Sequence, residues 1–418
     1  MDKIRIKGGK AIRGRIDVAG SKNAALPILL SSLLTDQPSQ LARVPQLQDI
    51  NTTLLLLEQM GVKVENSPEQ HKVKLNAAGV KTFEAPYDLV RKMRASVLVL
   101  GPLVARFGQA RVSLPGGCAI GARPIGFHLS ALEKLGAKIE LEEGYVLAKA
   151  KKLKGARVAF EFPSVGATEN TLMAAALAEG ESVLENCARE PEIVDLAQSL
   201  KSMGAIIEGE GTETIYVQGK KTLGGINYSI MGDRIEAGTY LAAALATRGE
   251  VTVNGISPLF LESVLAKFEE TGARIERGDE SVTLKSHGRP ISKDVITMPF
   301  PGFPTDMQAQ FMAVMAVADG ASLITENIFE NRFMHVPELS RLGADISIRG
   351  KAALVKGKSQ LKAAPIMATD LRASASLIIG GLCAEGETVI SRIYHLDRGY
   401  ERMEEKLRKL GADIERLK

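Results

Sequence analysis

The chain has 418 residues, 45% of them hydrophobic, a globular length that normally divides into two or more domains. Its 53 basic and 49 acidic side chains leave a formal charge of +4, too small a surplus for a dedicated nucleic-acid coat. The longest apolar runs, Ala24 to Leu34 and Leu377 to Ala384, fall short of the roughly 20 residues of a membrane span, so no membrane insertion is expected.

The opening "MDKIRIKGGK" has no apolar signal core, as a secretory leader would, and the stretch "DKIRIKGGKAIRGRIDVAG" reads as strand. Next comes "NAALPILLSSLL", apolar on nearly every face, which predicts a helix buried all round rather than an amphipathic cover. The same character returns in "RASVLVLGPLVA", "ENTLMAAALAEG", "EAGTYLAAALATRG", "MQAQFMAVMAVADG" and "ASASLIIGGLCAEG". Interleaved with these runs are "MGVKVE", "LGAKIE", "MGAIIE", "TGARIE", "LGADIS" and "LGADIE", whose glycines Gly61, Gly136, Gly204, Gly272, Gly343 and Gly411 recur every 68 to 75 residues. A period of that size marks repeated supersecondary units. Each glycine follows an amphipathic stretch such as "FHLSALEKLG", where a left-handed residue can close a helix, and precedes an alternating strand. Strands such as "EVTVNG" and "ASLITEN" alternate, so one sheet face should meet water. Helices inside and sheets outside invert the usual α/β layering and argue against a doubly wound parallel sheet.

The sixth unit stops at "GADIERLK", without the strands that follow the other five glycines. The N-terminal strands have the missing pattern. We therefore expect residues 1–21 and 230–418 to form one domain of three units and residues 22–229 another, with the second crossing near "GGINYSIMGD".

In every unit the buried helix begins just after a strand, at "GSKNAA", "RKMRAS", "SVGATEN", "GDRIEA", "PTDMQA" and "TDLRAS". Helix N-termini offer free N–H groups and a positive dipole end; domains that faced one another would gather these starts into an anion trap. Lys22, Arg94, Asp306, Asp370 and Arg372 become candidates there, although Asp306 and Asp370 also suit simple helix caps. A different candidate is "LPGGCAIGARPIG", a glycine- and proline-rich loop that carries Cys118 close to Arg123. The other thiols, Cys187 and Cys383, lie in apolar runs and read as small buried hydrophobes. Three widely separated cysteines suggest reduced thiols and a cytoplasmic setting. Five scattered histidines lack ligand spacing, so neither a metal nor another cofactor is expected.

Nine segments in order, "GSKNAALP", "MRAS", "PGGCAIGARPI", "PSVGATEN", "AREPEIVDLA", "FPTDMQAQ", "ENRFMHVPEL", "TDLRASA" and "HLDRGYE", span essentially the whole chain. Together they resemble the UDP-N-acetylglucosamine enolpyruvyl transferases (1-carboxyvinyltransferases) of the EPSP synthase superfamily. The resemblance implies an inside-out α/β barrel of two domains, each of three βαβαββ-type units. It also implies transfer of the enolpyruvyl group of phosphoenolpyruvate to the 3′-hydroxyl of UDP-N-acetylglucosamine, through a tetrahedral ketal that loses phosphate, at the start of peptidoglycan synthesis.

Carried over residue by residue, the resemblance gives Lys22, Asn23, Arg123, Arg332, Arg372 and Arg398 to phosphoenolpyruvate. Lys22, Arg123 and Arg398 would hold the phosphate, and Arg332 and Arg372 the carboxylate. Arginine suits a doubly anionic ligand because its fork binds such groups in bidentate fashion. Cys118 matches the proton donor and the thiol alkylated by fosfomycin, while Asp306, with Asp370 beside it, matches the group that orients and deprotonates the sugar hydroxyl. Lys22 and Arg398 would also serve catalysis. The sugar nucleotide would meet Asn23, Arg94, Arg123, Pro124, Ile125, Gly126, Phe127, Ser164, Val165, Gly166, Asp306 and Ile328. Gln48 stands where many relatives carry a lysine, and Phe162 where some carry a basic residue. Two competing readings are weighed. A shikimate 3-phosphate enolpyruvyl transferase lacks the cysteine-bearing loop. An RNA-handling scaffold of similar repeats should show a basic stripe with stacking aromatics, whereas this chain has no tryptophan and 5% aromatic residues.

Overall fold

The structure, a computed structural model, describes residues 2–91, 93–114 and 125–418. The apolar runs form the innermost helices. Every residue of the Arg234–Ala246 helix is buried, and burial is nearly as complete along Val165–Ala175 and Leu371–Cys383. A helix with no polar stripe has no stable position at a surface, so each must be wrapped by other elements. The wrapping strands alternate, as in Glu250–Asn254 and Ser281–Lys285, where Val251, Val253, Val282 and Leu284 point inward and their neighbours toward water. That is the pattern of an antiparallel pair with one wet face.

The repeated glycines close the amphipathic helices. All six have φ between 89° and 98°, a region costly for residues with a Cβ. At Gly136 the Ala137 N–H donates to the Leu132 carbonyl at 2.9 Å and the Gly136 N–H to the Glu133 carbonyl at 2.9 Å. The same pair of bonds recurs at Gly61, Gly204, Gly272, Gly343 and Gly411. These paired bonds satisfy carbonyls that the helix end would leave open and turn the chain into the next strand.

Two compact units emerge from the packing, one running from Gly20 to Met231 and the other combining the residues up to Ala19 with Gly232–Lys418. Among the described residues, the first contains three four-stranded sheets around its helices, and Asn227–Ser229 pairs in parallel with Ser39–Ala42. Three four-stranded sheets and one two-stranded pair surround the helices of the second. Lys3–Lys7 lies there between Glu387–Ser391 and Asp413–Leu417, antiparallel to both, and Arg13–Asp17 pairs in parallel with Glu250–Asn254. In each unit the sheets cover a separate apolar core. The architecture is an inside-out α/β fold. Among the described residues, no helix is long and apolar enough to cross a membrane.

Candidate functional site

In the Gly20–Met231 unit, Lys22 is the first residue of the Lys22–Ser31 helix, capped by Ser21. Its ammonium lies 2.9 Å from Asp49 Oδ2 at the start of the Gln48–Met60 helix, and both side chains are nearly buried. A pair so shielded holds the lysine in one direction, because neither charge can be released to water without its partner. Asn23, beside it, is half-buried, and Gln48 is exposed.

A second group in this unit centres on His128 and Asn170. Gly101 N–H donates to Asn170 Oδ1 at 2.6 Å, which fixes the amide so that Nδ2 faces the Val97 carbonyl at 3.3 Å and His128 Nδ1 at 3.0 Å. The imidazole therefore accepts through Nδ1. Burial, with the Arg94 charge adding to it, pushes His128 down to about 4, so the ring is neutral near pH 7. A Cβ on Gly166 would stand 3.1 Å from His128 Cε1. The ring thus sets the spacing between the start of Val165–Ala175, which Ser164 caps, and Gly126–Lys134. Arg94, Ile125, Gly126, Phe127, Ser164, Val165 and Gly166 are thereby carried on segments that meet around one buried amide–imidazole pair. Phe162 is exposed. Cys118, Arg123 and Pro124 lie outside the described residues.

The other unit carries a denser cluster. Asp306, in the Thr305–Met307 turn that leads into Gln308–Met315, is held between two arginines. Arg332 Nη2 donates to Oδ1 at 2.8 Å, and Arg372 donates to Oδ2 through Nη2 at 2.8 Å and Nε at 3.1 Å. Both guanidiniums are nearly buried, at 7% and 3% exposure, while the carboxylate keeps 24%. Burial works to raise the Asp306 carboxyl, but Arg372 and Arg332 outweigh it and hold the group well below the usual carboxylate range. Arg372 also stacks over Tyr400 at 5.4 Å, and its buried Nη1 has no hydrogen-bond partner among the described residues. Gln310 Nε2 donates to the Asp306 carbonyl at 2.9 Å and approaches the Tyr400 and Thr239 hydroxyls at 3.1 Å.

Asp370 caps the Leu371–Cys383 helix, accepting from the Arg372 and Ala373 N–H groups at 2.9 and 3.0 Å. Arg398 ends the Ile393–Arg398 turn and is half-buried. Burial, Arg392 and Arg398 lower the His395 imidazole, and Asp370 opposes them. Ile328 sits on the turn after Ala321–Thr325, with its N–H on Glu326 Oε1 at 2.8 Å. His335 is pushed down to about 4 by burial, with Asp370 opposing and Arg332 adding. Chemically, this cluster offers two fixed guanidiniums to a carboxylate-sized anion. Among the described residues, no group of three or more His, Cys, Asp and Glu side chains is arranged to hold a metal.

Among the described candidates, Asp306, Arg332 and Arg372 are brought into direct contact, whereas Lys22 pairs with Asp49 apart from the His128–Asn170 group. Sequence reasoning missed Asp49, His128, Asn170, Glu326 and Tyr400, all of which brace candidates from behind. Asp49 looked like any acidic first-turn residue. Glu326 and Asn170 carried one available signal, a polar residue at a position the surrounding pattern sends inward.

A family model described as EPSP synthase (3-phosphoshikimate 1-carboxyvinyltransferase) matches residues 6–407. A curated UDP-N-acetylglucosamine 1-carboxyvinyltransferase from Geobacter metallireducens is 57% identical over 418 residues, covering 100% of both chains. One of the same name from Geotalea uraniireducens is 56% identical over 417 residues, again covering 100% of both. Among solved structures, the enolpyruvyl transferase NikO from Streptomyces tendae superposes with a TM-score of 0.89 at 24% identity, over 99% of this chain and 98% of that one. An EPSP synthase from Acinetobacter baumannii gives 0.76 at 20% identity over 100% of both. The two structures speak to the fold.

Proposed function

Because the chain belongs to the EPSP synthase family, we infer that it transfers the enolpyruvyl group of phosphoenolpyruvate, and that its acceptor is the 3′-hydroxyl of UDP-N-acetylglucosamine. The observation that carries the acceptor is the 57% identity with a UDP-N-acetylglucosamine 1-carboxyvinyltransferase across the whole of both chains. The shikimate-type reading has a structural neighbour at 20% identity, a likeness that speaks to the fold alone. The product enters peptidoglycan synthesis at its first committed step. Both substrates are small cytoplasmic metabolites, and we assign the reaction to that compartment.

Arg332 and Arg372 bind the donor's carboxylate, and Lys22, Arg123 and Arg398 its phosphate, with Asn23 beside Lys22. The sugar nucleotide is met by Asn23, Arg94, the Arg123–Phe127 segment, Ser164, Val165, Gly166, Asp306 and Ile328. In the addition step, the sugar oxygen bonds to C2 of phosphoenolpyruvate while Asp306 accepts the hydroxyl proton and the Cys118 thiol gives a proton to C3. The ketal so formed then loses phosphate and a C3 proton, which restores the vinyl group and leaves it on the sugar. Asp370 holds the Arg372 backbone at the helix start. Phosphate release from phosphoenolpyruvate, measured with UDP-N-acetylglucosamine, with shikimate 3-phosphate and with neither, all without added metal, tests the reading. Release that depends on the sugar nucleotide is expected; release with shikimate 3-phosphate alone overturns it.

A further inference from the structure

Glu326 is 1% exposed, yet both its carboxylate oxygens accept hydrogen bonds, and they serve different parts of the site. Oε1 accepts from the Ile328 N–H at 2.8 Å, the Phe329 N–H at 3.1 Å and the Thr297 hydroxyl at 2.9 Å. Oε2 accepts from the Thr305 hydroxyl at 2.8 Å. Thr305 directly precedes Asp306, and Arg332 Nη1 reaches its Oγ1 at 3.4 Å. Phe329, tied to Oε1 by its backbone, also sets its ring 5.0 Å from the Arg332 guanidinium. A buried carboxylate that accepts from four donors through both oxygens is costly to remove, and its donors lose their geometry together.

We propose that Glu326 is a positioning residue for both substrates, its Oε1 shaping the turn that presents Ile328 and its Oε2 fixing the Thr305 hydroxyl against Arg332. The proposal rests on the assignment of Ile328 to the sugar nucleotide and Arg332 to the donor's carboxylate. The two oxygens can be separated chemically. In Glu326→Gln the amide oxygen must take the Oε1 place, because an NH2 group there would face two backbone N–H donors. The NH2 then faces Thr305, which has to accept instead of donate. That substitution disturbs the Arg332 side alone. Thr305→Val disturbs the same side without touching Glu326, and Glu326→Ala releases both.

The test is steady-state phosphate release by the full chain, with each substrate varied in turn. For Glu326→Gln and Thr305→Val the KM for phosphoenolpyruvate should rise about tenfold, as expected for a lost charge-assisted hydrogen bond. The KM for UDP-N-acetylglucosamine should stay within about twofold of the parent in both variants. Thr305→Ser should restore the parent values, and Glu326→Ala should raise both constants. Should Glu326→Ala fail to fold, the other three variants still decide. A uniform fall in kcat, equal rises in both constants for Glu326→Gln, or no change in any variant overturns the proposal while the enzyme remains active. An unmodified chain that releases no phosphate with the two substrates overturns the functional reading instead, and this assignment with it.

Discussion

Asp306, the proposed base, is gripped by Arg332 and Arg372 and is a poor one on that account, because each guanidinium stabilises its charged form. The same arginines are the ones a donor carboxylate would seek. Asp306→Asn should therefore have opposite effects on binding and on turnover. Removing the charge leaves two nearly buried cations short of a counter-ion, which the donor can supply, so phosphoenolpyruvate should raise the melting temperature more in the variant than in the parent. Turnover should fall by about 10²-fold or more with the base gone. Equal donor-induced shifts would refute the competition. Thiol reactivity follows the same logic of environment. Burial pushes Cys187 and Cys383 each up to about 12, so neither supplies thiolate near neutral pH. Fosfomycin should alkylate Cys118 alone, as read by mass spectrometry of the treated protein, and an adduct on Cys187 or Cys383 would unseat Cys118. Much of this site was visible as motif: Asp306, Arg332 and Arg372 stand in separate segments of the sequence and meet in the structure. Their bracing partners were not visible, since a threonine or glutamate that holds a turn has no periodicity of its own.

Elements were the most legible level, because the fold repeats a few local rules. A run apolar on all faces must be enclosed, a glycine after an amphipathic helix takes the left-handed cap, and an alternating strand has one wet side. What the sequence hides is the polar fastening between elements, of which His128 is the clearest case. Its imidazole sits in the core near pKa 4 against an ordinary 6.5. A histidine whose folded value is depressed contributes stability above about 6.5 that is lost as pH falls toward 4, because protonation favours the unfolded chain. Between pH 7 and pH 5 the loss from this one group is about 2 kcal/mol. His128→Gln can still accept from Asn170 but cannot titrate, so its melting temperature should fall less over that interval than the parent's. Parallel curves would show that His128 is reached by solvent or bonded differently.

At the scale of the whole molecule, the chain's first strands belong to sheets built mostly from its last 187 residues, Gly232–Lys418. Lys3–Lys7 is an inner strand, with Ile4 and Ile6 at 0% exposure and five paired positions along Asp413–Leu417. Arg5 reaches Glu387 at 3.1 Å, Asp413 at 3.5 Å and Glu415 at 2.7 Å across both neighbours, though such part-exposed pairs contribute little beside the buried isoleucines. Deleting residues 1–19 would strip an inner strand from one sheet and the Arg13–Asp17 edge from another, exposing unpaired ladder groups on two sheets at once. The deletion should leave the protein insoluble. Relocating the segment should not. Lys3 pairs with Leu417 in antiparallel register, so the two chain ends lie at a hairpin distance that a short loop can close. A circular permutant that begins at Gly20, joins Lys418 to Asp2 through such a loop and ends at Ala19 keeps every strand pairing of that unit. It should recover the parent's circular dichroism and resist proteolysis across Gly232–Lys418. A permutant as insoluble as the deletion would mean that the sheet needs the covalent link between Ala19 and Gly20, and not merely the strands on its near side.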